Sequence, residues 1–417
     1  MMISALAMVG SLAQSTLAPP GTLPPQSGVE QAEGDALGAS TFLDFEGSAG
    51  YSTNPQLQSD KQSQAFGRVS VYAAHARQGA RSSTVFSLYG ENTSYSGRTG
   101  SQQLLRATAS HEAAVNEKLR LFGNVGASLD RGGQLGTRLI GAPNAPVPGT
   151  PDAIPTFPGD FDDLVLIGGR TYRLNGQAGA QITLSPRDSM TIRAGAEHAI
   201  FRGRLSNNDF TSLSGSGGYN RQLSERSSAG LLVGVKHSDY SDGRTAQEIN
   251  PQVSGRLQIA ERLDLRGAAG VSFAQNDDGQ DSQRSVGLTF NGSICGRSEF
   301  NTFCAQVARD HQNDSIVGPS KSLSFDANVS HRIDQKQSIQ LSAGASRQSS
   351  GFDLQTGQTV TGRQTYFRAS GAYTRSIGQR WFTGLNVAAR ALQRNGPDPK
   401  PDLAASLFVR WRVGDLR

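Results

Sequence analysis

The side chains best suited to chemistry are arginines and lysines that recur inside short runs of alternating apolar and polar residues. Arg120 and Arg173 each lie in such a run, between two apolar neighbours. Because alternate residues of a β-strand point to opposite faces, we expect the cations of these runs to share one face. The basic residues predicted on that face are Arg68, Arg106, Arg120, Arg173, Arg193, Lys236, Arg256, Arg266, Arg368, Arg410 and Arg412.

Fewer acidic residues are expected on the same face. They are Asp44, Glu46, Glu91, Glu197, Asp264 and Asp326. If the face encloses a water-filled space with low-dielectric walls, an excess of arginine enriches anions inside it. The alternative is that these charges solvate a wide polar interior without selecting any solute.

The two cysteines of the chain, Cys295 and Cys304, flank the short polar segment Gly296–Glu299. Both fall on the same face as the basic residues, where cross-strand partners lie close enough to form a disulfide. We predict a local disulfide between them, with two free thiols as the alternative. Two cysteines are too few for a disulfide scaffold or a multi-ligand zinc site.

Nothing in the sequence indicates an enzyme. Four histidines fall on the apolar face near the ends of the alternating runs, where a partly solvated imidazole is tolerated. They are His75, His111, His198 and His237. His198 is the only candidate base for a hydrolase on an outer wall, and no serine stands at a convincing position beside it. The sequence contains no nucleotide-binding or zinc-protease motif, so we predict no catalytic residue, cofactor or metal site.

The composition restricts the elements that carry these faces. Only 36% of the 417 residues are hydrophobic, 49 are glycine and the mean hydropathy is −0.41. With glycine counted, the apolar share comes close to the roughly 45–50% of a soluble domain, but 49 of those residues are glycine and add no side chain to a core. No run approaches the about 18 apolar residues of a membrane helix, whereas a barrel whose strands face lipid on one side and water on the other fits this composition.

The charge balance also bears on partners. The chain has 40 basic and 35 acidic residues, a net charge of +5, and its basic residues are scattered singly. Proteins that bind nucleic acid concentrate basic residues in patches, so we expect no nucleic-acid partner.

Short polar turns recur along the chain and alternate with longer polar connections, such as 52–62 and 310–321. Eight short turns join sixteen strands, and one more strand at each end predicts an antiparallel β-barrel of about 18 strands, with 16 as the second choice. Short turns at one rim and long loops at the other are typical of outer-membrane barrels, whereas an array of soluble β-sandwiches needs no such asymmetry. The predicted short turns are Gln78–Arg81, Asn116–Lys118, Ser185–Asp188, Ser224–Arg226, Glu261–Arg262, Gly296–Glu299, Asp334–Lys336 and Gly378–Arg380.

Three regions follow along the chain. Residues 1–13 combine an apolar run with a small-residue ending and resemble a signal peptide without its basic start. Residues 14–40 are rich in Pro, Gly, Ser and Gln and are expected to be a flexible periplasmic segment. Residues 41–417 are expected to form the barrel, with both termini on the side of the short turns.

These features resemble the bacterial outer-membrane porin superfamily. The opening segment from Phe45 to Pro55 is similar to the first strand and loop of the putative beta-barrel porin 2 type, whose members are often linked with exopolysaccharide systems. The last strand, with Trp411, is similar to the signal read by the barrel-assembly machinery but ends on Arg417 instead of an aromatic residue. The resemblance implies the outer membrane of a Gram-negative bacterium, with lipid and lipopolysaccharide around the barrel.

The third long connection, at 136–169, contains six of the 17 prolines. Proline denies a strand its ladder hydrogen bonds, so this segment is not expected to be a hairpin of the barrel. The porin resemblance implies that it can fold inward, which would bring Asp160, Asp162 and Asp163 opposite the basic wall at a constriction. A surface loop is the equal alternative.

We therefore expect a porin-like channel for passive diffusion of small hydrophilic solutes, among them anions or carbohydrates. The first alternative is a non-conducting structural barrel or one associated with exopolysaccharide export. The remote alternative is an outer-membrane hydrolase.

Overall fold

The computed structural model describes residues 38–55, 57, 63–97, 100–131, 169–203, 209–277, 282–314, 318–348, 351–353, 358–360, 364–393 and 400–414. These residues form twenty strands. They are β1 (Gly38–Ser52), β2 (Gln64–Gln78), β3 (Ser82–Tyr95), β4 (Ser101–Ala114), β5 (Leu119–Arg131), β6 (Gly169–Thr183), β7 (Asp188–Gly203), β8 (Phe210–Ser224), β9 (Ser227–Tyr240), β10 (Thr245–Ala260), β11 (Leu263–Asp277), β12 (Ser282–Arg297), β13 (Asn301–Asp314), β14 (Gly318–Arg332), β15 (Gln337–Gln348), β16 (Gly351–Asp353), β17 (Gln358–Val360), β18 (Gln364–Ser376), β19 (Trp381–Gln393) and β20 (Asp402–Gly414).

Eighteen of these strands form one closed antiparallel sheet. Consecutive strands pair in chain order, β15 pairs with β18, and the ring closes where β20 pairs with β1 from Phe42–Gly414 to Ser52–Ala404. The short strands β16 and β17 pair only with each other. The predicted barrel of about 18 strands is thus confirmed, and a sandwich array is excluded because no edge of this sheet is left open.

The eight predicted short turns are also confirmed. Each lies between two consecutive barrel strands, all at one rim, which we call the short-turn rim; the opposite rim is the long-loop rim. Side chains in the turns satisfy their own backbone: Asn116 Oδ1 accepts from the amides of Lys118 and Leu119 at 2.8 Å each. Gly378 has φ +87, a left-handed conformation that glycine adopts without steric cost.

The two faces of the sheet differ in polarity. Large apolar side chains such as Val69, Leu174 and Leu407 are exposed on the outer face, at 61%, 59% and 68%. The positions between them point inward, and many are polar, including Arg68 and Asp326. None of the described residues forms a helix long and apolar enough to span a membrane.

The first strand begins at Gly38, three residues before the predicted start of the barrel at 41. The signal-like segment 1–13 and residues 14–37 lie outside the described residues.

Candidate functional site

Ten of the residues that the alternation predicts on one face are candidates to line the interior, and all ten lie on the inner face. Arg173, for example, stands between Tyr172 and Leu174, whose side chains are exposed on the outer face. The set is Arg68, Arg106, Arg120, Arg173, Arg193, Lys236, Arg256, Arg266, Asp326 and Arg368. This placement follows from the alternation alone, since it needs only the face of each residue and not the identity of its neighbours.

The arginines of the inner face lie beside carboxylates. Glu46 on β1 accepts from Arg68 on β2 at 2.6 Å and from Arg410 on β20 at 2.7 Å. Asp44, one pleat nearer the short-turn rim, accepts two hydrogen bonds from Arg412, at 2.6 and 2.5 Å. Charge-assisted pairs of this geometry are strong when they are buried and well aligned.

The same pattern recurs around the ring. Arg173 lies 3.1 Å from Glu197, and Arg120 lies 2.7 Å from Glu112. Asp264 bridges two facing cations, since it contacts Arg256 at 2.6 Å and also pairs with Arg266. A carboxylate between two arginines offsets the repulsion between them.

A single glycine makes room for one of these pairs. Asp326 on β14, Gly344 on β15 and Arg368 on β18 lie in one row across three strands. Arg368 reaches over Gly344 to Asp326, with 2.7 Å between Nη2 and Oδ1. A Cβ at position 344 would collide with the Asp326 carboxylate and lie 3.0 Å from Arg368 Nε.

The inner face is less basic than the sequence analysis predicted. Arg390 is one further arginine on this face, but five further acidic residues also lie on it: Glu112, Asp130, Glu248, Asp310 and Asp402. Each occupies the same phase of its strand as the arginines. Asp130 lies in the same alternating run as Arg120, Asp402 precedes the last run, and the other three stand outside the most regular runs. The field expected from unbalanced arginine is therefore weakened by the carboxylates beside it.

Asp402 organises a cluster at the long-loop rim that sequence reasoning missed. The side chain is fully buried and accepts from Ser52 Oγ at 2.7 Å, from the Asn54 amide at 2.8 Å and from Arg390. Asn54 Nδ2 in turn donates to the Lys400 carbonyl at 2.7 Å. No local pattern reveals this cluster, because its partners come from opposite ends of the chain.

Beyond Asn54 the chain turns inward at the long-loop rim. Leu57 is buried and packs with Tyr366 and Leu392, which point inward from β18 and β19. Its backbone adopts φ +48, an uncommon conformation for a residue other than glycine. The polar anchor at Asp402 and this apolar contact together hold residues 53–55 and Leu57 against the wall.

Cys295 and Cys304 face each other directly in the pairing of β12 with β13. Their Cα atoms are 4.0 Å apart, and the structure joins their sulfur atoms. The position, beside the turn after Arg297, makes the link a local staple of one hairpin.

The predicted constriction segment falls outside the described residues. Asp160, Asp162 and Asp163 all lie in 132–168, so their inward position stays a prediction. Among the described residues, no group of three or more metal-ligating side chains is arranged to hold a metal ion.

Three of the four histidines predicted on the outer face hydrogen-bond to the threonine directly opposite on an adjacent strand, whereas His237 Nε2 lies 3.1 Å from Asp239 Oδ1 on its own strand. His198 Nδ1 lies 2.9 Å from Thr211 Oγ1, His75 lies 2.8 Å from Thr41, and His111 lies 2.8 Å from Thr84. The repetition of one arrangement around the barrel indicates a cross-strand pair near the rims, not a nucleophile and base unique to His198. The described residues thus give no support to the hydrolase alternative.

A closed barrel with an apolar outer face and a charged inner face belongs to the class of β-barrels that cross a bilayer. No protein-family model matches this chain, and no curated protein is similar to it in sequence.

Solved structures resemble the barrel at low identity. OccK2 (OpdF) of Pseudomonas aeruginosa is 12% identical, with a TM-score of 0.44 over 91% of this chain and 98% of that one. A BenF-like porin from Pseudomonas fluorescens Pf-5 is 10% identical, with a TM-score of 0.44 over 90% and 99%. The siderophore receptor PirA of Acinetobacter baumannii is 9% identical, with a TM-score of 0.41 over 90% and 80%. Likenesses of this size carry no argument about family or solute.

Proposed function

We propose that this protein is a channel in the outer membrane of a Gram-negative bacterium, through which small hydrophilic solutes diffuse. The observation that carries the proposal is the closed ring of 18 strands with apolar residues outside and charged residues inside. Lipid offers no hydrogen-bond partners, so a sheet that spans it must close, and barrels of 16–18 strands enclose an aqueous channel. In this proposal solutes cross the channel by passive diffusion, and the protein is not an enzyme.

The proposal includes an orientation and a set of partners. An even number of strands brings both ends of the barrel to the short-turn rim, which is periplasmic in barrels of this kind. Lipid and lipopolysaccharide surround the outer face, and the barrel-assembly machinery inserts the chain. An association with exopolysaccharide export rests only on the resemblance of the segment from Phe45 to Pro55.

Charge selectivity is expected to be weak. The sequence-based hypothesis of anion preference depends on unbalanced inner cations, and the pairs Arg68–Glu46, Arg173–Glu197 and Arg368–Asp326 reduce that imbalance. A constriction by Asp160, Asp162 and Asp163 would reduce it further.

Planar-bilayer recording and liposome swelling test the proposal. Purified protein should give stepwise single-channel currents and admit sugars up to a size limit. Under a KCl gradient the reversal potential should be small. A large reversal potential of anion-selective sign would instead support the anion preference that the sequence predicts. A protein that inserts but neither conducts nor admits any sugar would be a closed structural or export-associated barrel instead.

A further inference from the structure

Two groups of ion pairs on the inner face differ in their exposure to water, and the pairs on β10–β11 and on β14–β18 belong to neither group. The first group, which we call the closing wall, consists of inward side chains on β19, β20, β1 and β2, where the barrel closes. The second, the open wall, consists of inward side chains on β4, β5, β6 and β7. Both groups contain arginine–carboxylate pairs, so a difference in accessibility does not arise from a difference in chemistry.

On the closing wall the pairs are buried. The exposed side-chain fractions are 2% and 5% for Arg68 and Glu46, and 3% and 0% for Arg390 and Asp402. Aromatic rings help to cover this wall: the Arg412 guanidinium lies 5.1 Å from the ring centre of Phe42. Side chains so enclosed cannot contact a passing solute, and they act as a scaffold.

On the open wall the pairs are accessible. Arg173 and Glu197 are 23% and 19% exposed, and Arg120 and Glu112 are 43% and 29% exposed. Both pairs present guanidinium donors and carboxylate acceptors to the interior. Amide side chains share this face: the inward positions of β6 include Asn175, Gln177 and Gln181.

From this difference we propose that solutes pass along the open wall, and that the Arg173–Glu197 pair with its neighbouring amides favours neutral, hydroxyl-rich solutes such as sugars and polyols. This inference rests on the proposed channel function. An anion is attracted by Arg173 but repelled by Glu197, whereas a hydroxyl group donates to the carboxylate and accepts from the guanidinium. A neutral solute with adjacent hydroxyls therefore uses both partners of the pair.

The charge balance of the open wall agrees with this solute class. The charged side chains that point inward from β4 to β7 are Arg106, Glu112, Arg120, Asp130, Arg173, Arg193 and Glu197. Cations and carboxylates are thus mixed along the wall, and neither sign forms a separate patch.

Two serines provide a matched test of the path. Ser128 on β5 lies in register between Arg106 and Arg173 on the open wall and is half-buried, whereas Ser70 on β2 lies opposite Glu46 on the closing wall and is 7% exposed. Ser128→Cys and Ser70→Cys are each recorded in a planar bilayer before and after a charged, water-soluble methanethiosulfonate. Reaction at position 128 should lower the conductance about twofold or more, because the adduct occupies the path. The conductance of Ser70→Cys should not change when the reagent is added. Modification at 70 but not at 128 would overturn the assignment.

The solute class is tested by liposome swelling with a neutral hexose and the hexuronate of the same size. The hexose should enter the wild-type protein faster, and Glu197→Gln should raise the relative rate of the hexuronate several-fold by removing the repelling carboxylate. Faster entry of the hexuronate into the wild type would overturn the inference while the channel function stood. Absence of conductance and of swelling with either solute would overturn the channel function itself.

Discussion

The Arg368–Asp326 ion pair on the inner face depends on Gly344, which has no side chain. The Arg368–Asp326 pair crosses this residue, and an added Cβ would collide with the carboxylate. We expect Gly344→Ala to break the pair and to lower the free energy of unfolding by about 1–3 kcal/mol, the usual cost of overpacking. Urea unfolding in lipid vesicles measures this. The control is Gly47→Ala, because a Cβ at position 47 meets no atom within 4 Å; equal losses in both variants would contradict the explanation.

The cysteines give a second prediction at the residue scale. Because Cys295 and Cys304 are opposed in register with their sulfur atoms joined, the unfolded, non-reduced protein should not react with a thiol-reactive polyethylene glycol. After reduction it should gain two adducts, visible as a shift in gel mobility. Reaction before reduction would show that the thiols are free. The double variant Cys295→Ser/Cys304→Ser controls for reaction at other groups.

At the scale of elements, the ion pairs across β1 and β20 stabilise the closure of the ring. Asp44 and Arg412 are directly opposed and nearly buried, at 10% and 5% exposure of their side chains. Removing one partner of a buried pair costs about 3–5 kcal/mol, since the other charge is left without compensation, whereas an exposed pair contributes about 0–1 kcal/mol. Asp44→Asn should therefore destabilise the barrel strongly and Glu112→Gln, in the more exposed pair with Arg120, weakly. Urea unfolding compares the two variants. Equal losses in the free energy of unfolding would mean that the Asp44–Arg412 pair contributes no more to stability than the exposed pair.

The elements also show what the sequence could and could not predict. Strand number, turn positions and the face of every predicted lining residue follow from alternation and turn chemistry, which are local properties. The partners of those residues depend on which strands adjoin and in what register. Asp402 illustrates the difference. The alternation of the last strand is enough to place it on the inner face, but its hydrogen bonds to Ser52 and Asn54 form only when the first and last strands pair.

At the scale of the whole molecule, the decisive property is contact between the outer face and lipid, and the two tryptophans of the chain report on it. Trp381 and Trp411 are opposed on β19 and β20 near the short-turn rim, point outward, and stack with 6.0 Å between ring centres. Phe45 extends the stack across the closing strands, 5.7 Å from Trp411. Aromatic residues at such a rim lie at the level of the lipid headgroups.

This position predicts the pattern of fluorescence quenching in vesicles of brominated lipids. Lipids brominated near the headgroup should quench tryptophan emission more strongly than lipids brominated near the chain ends, because both indoles lie near the boundary of the apolar band. Trp381→Phe and Trp411→Phe, each leaving one tryptophan, should show the same depth dependence. Emission that no brominated lipid quenches would mean that this face does not contact a bilayer, and an apolar outer surface of this extent would then have to be covered by protein.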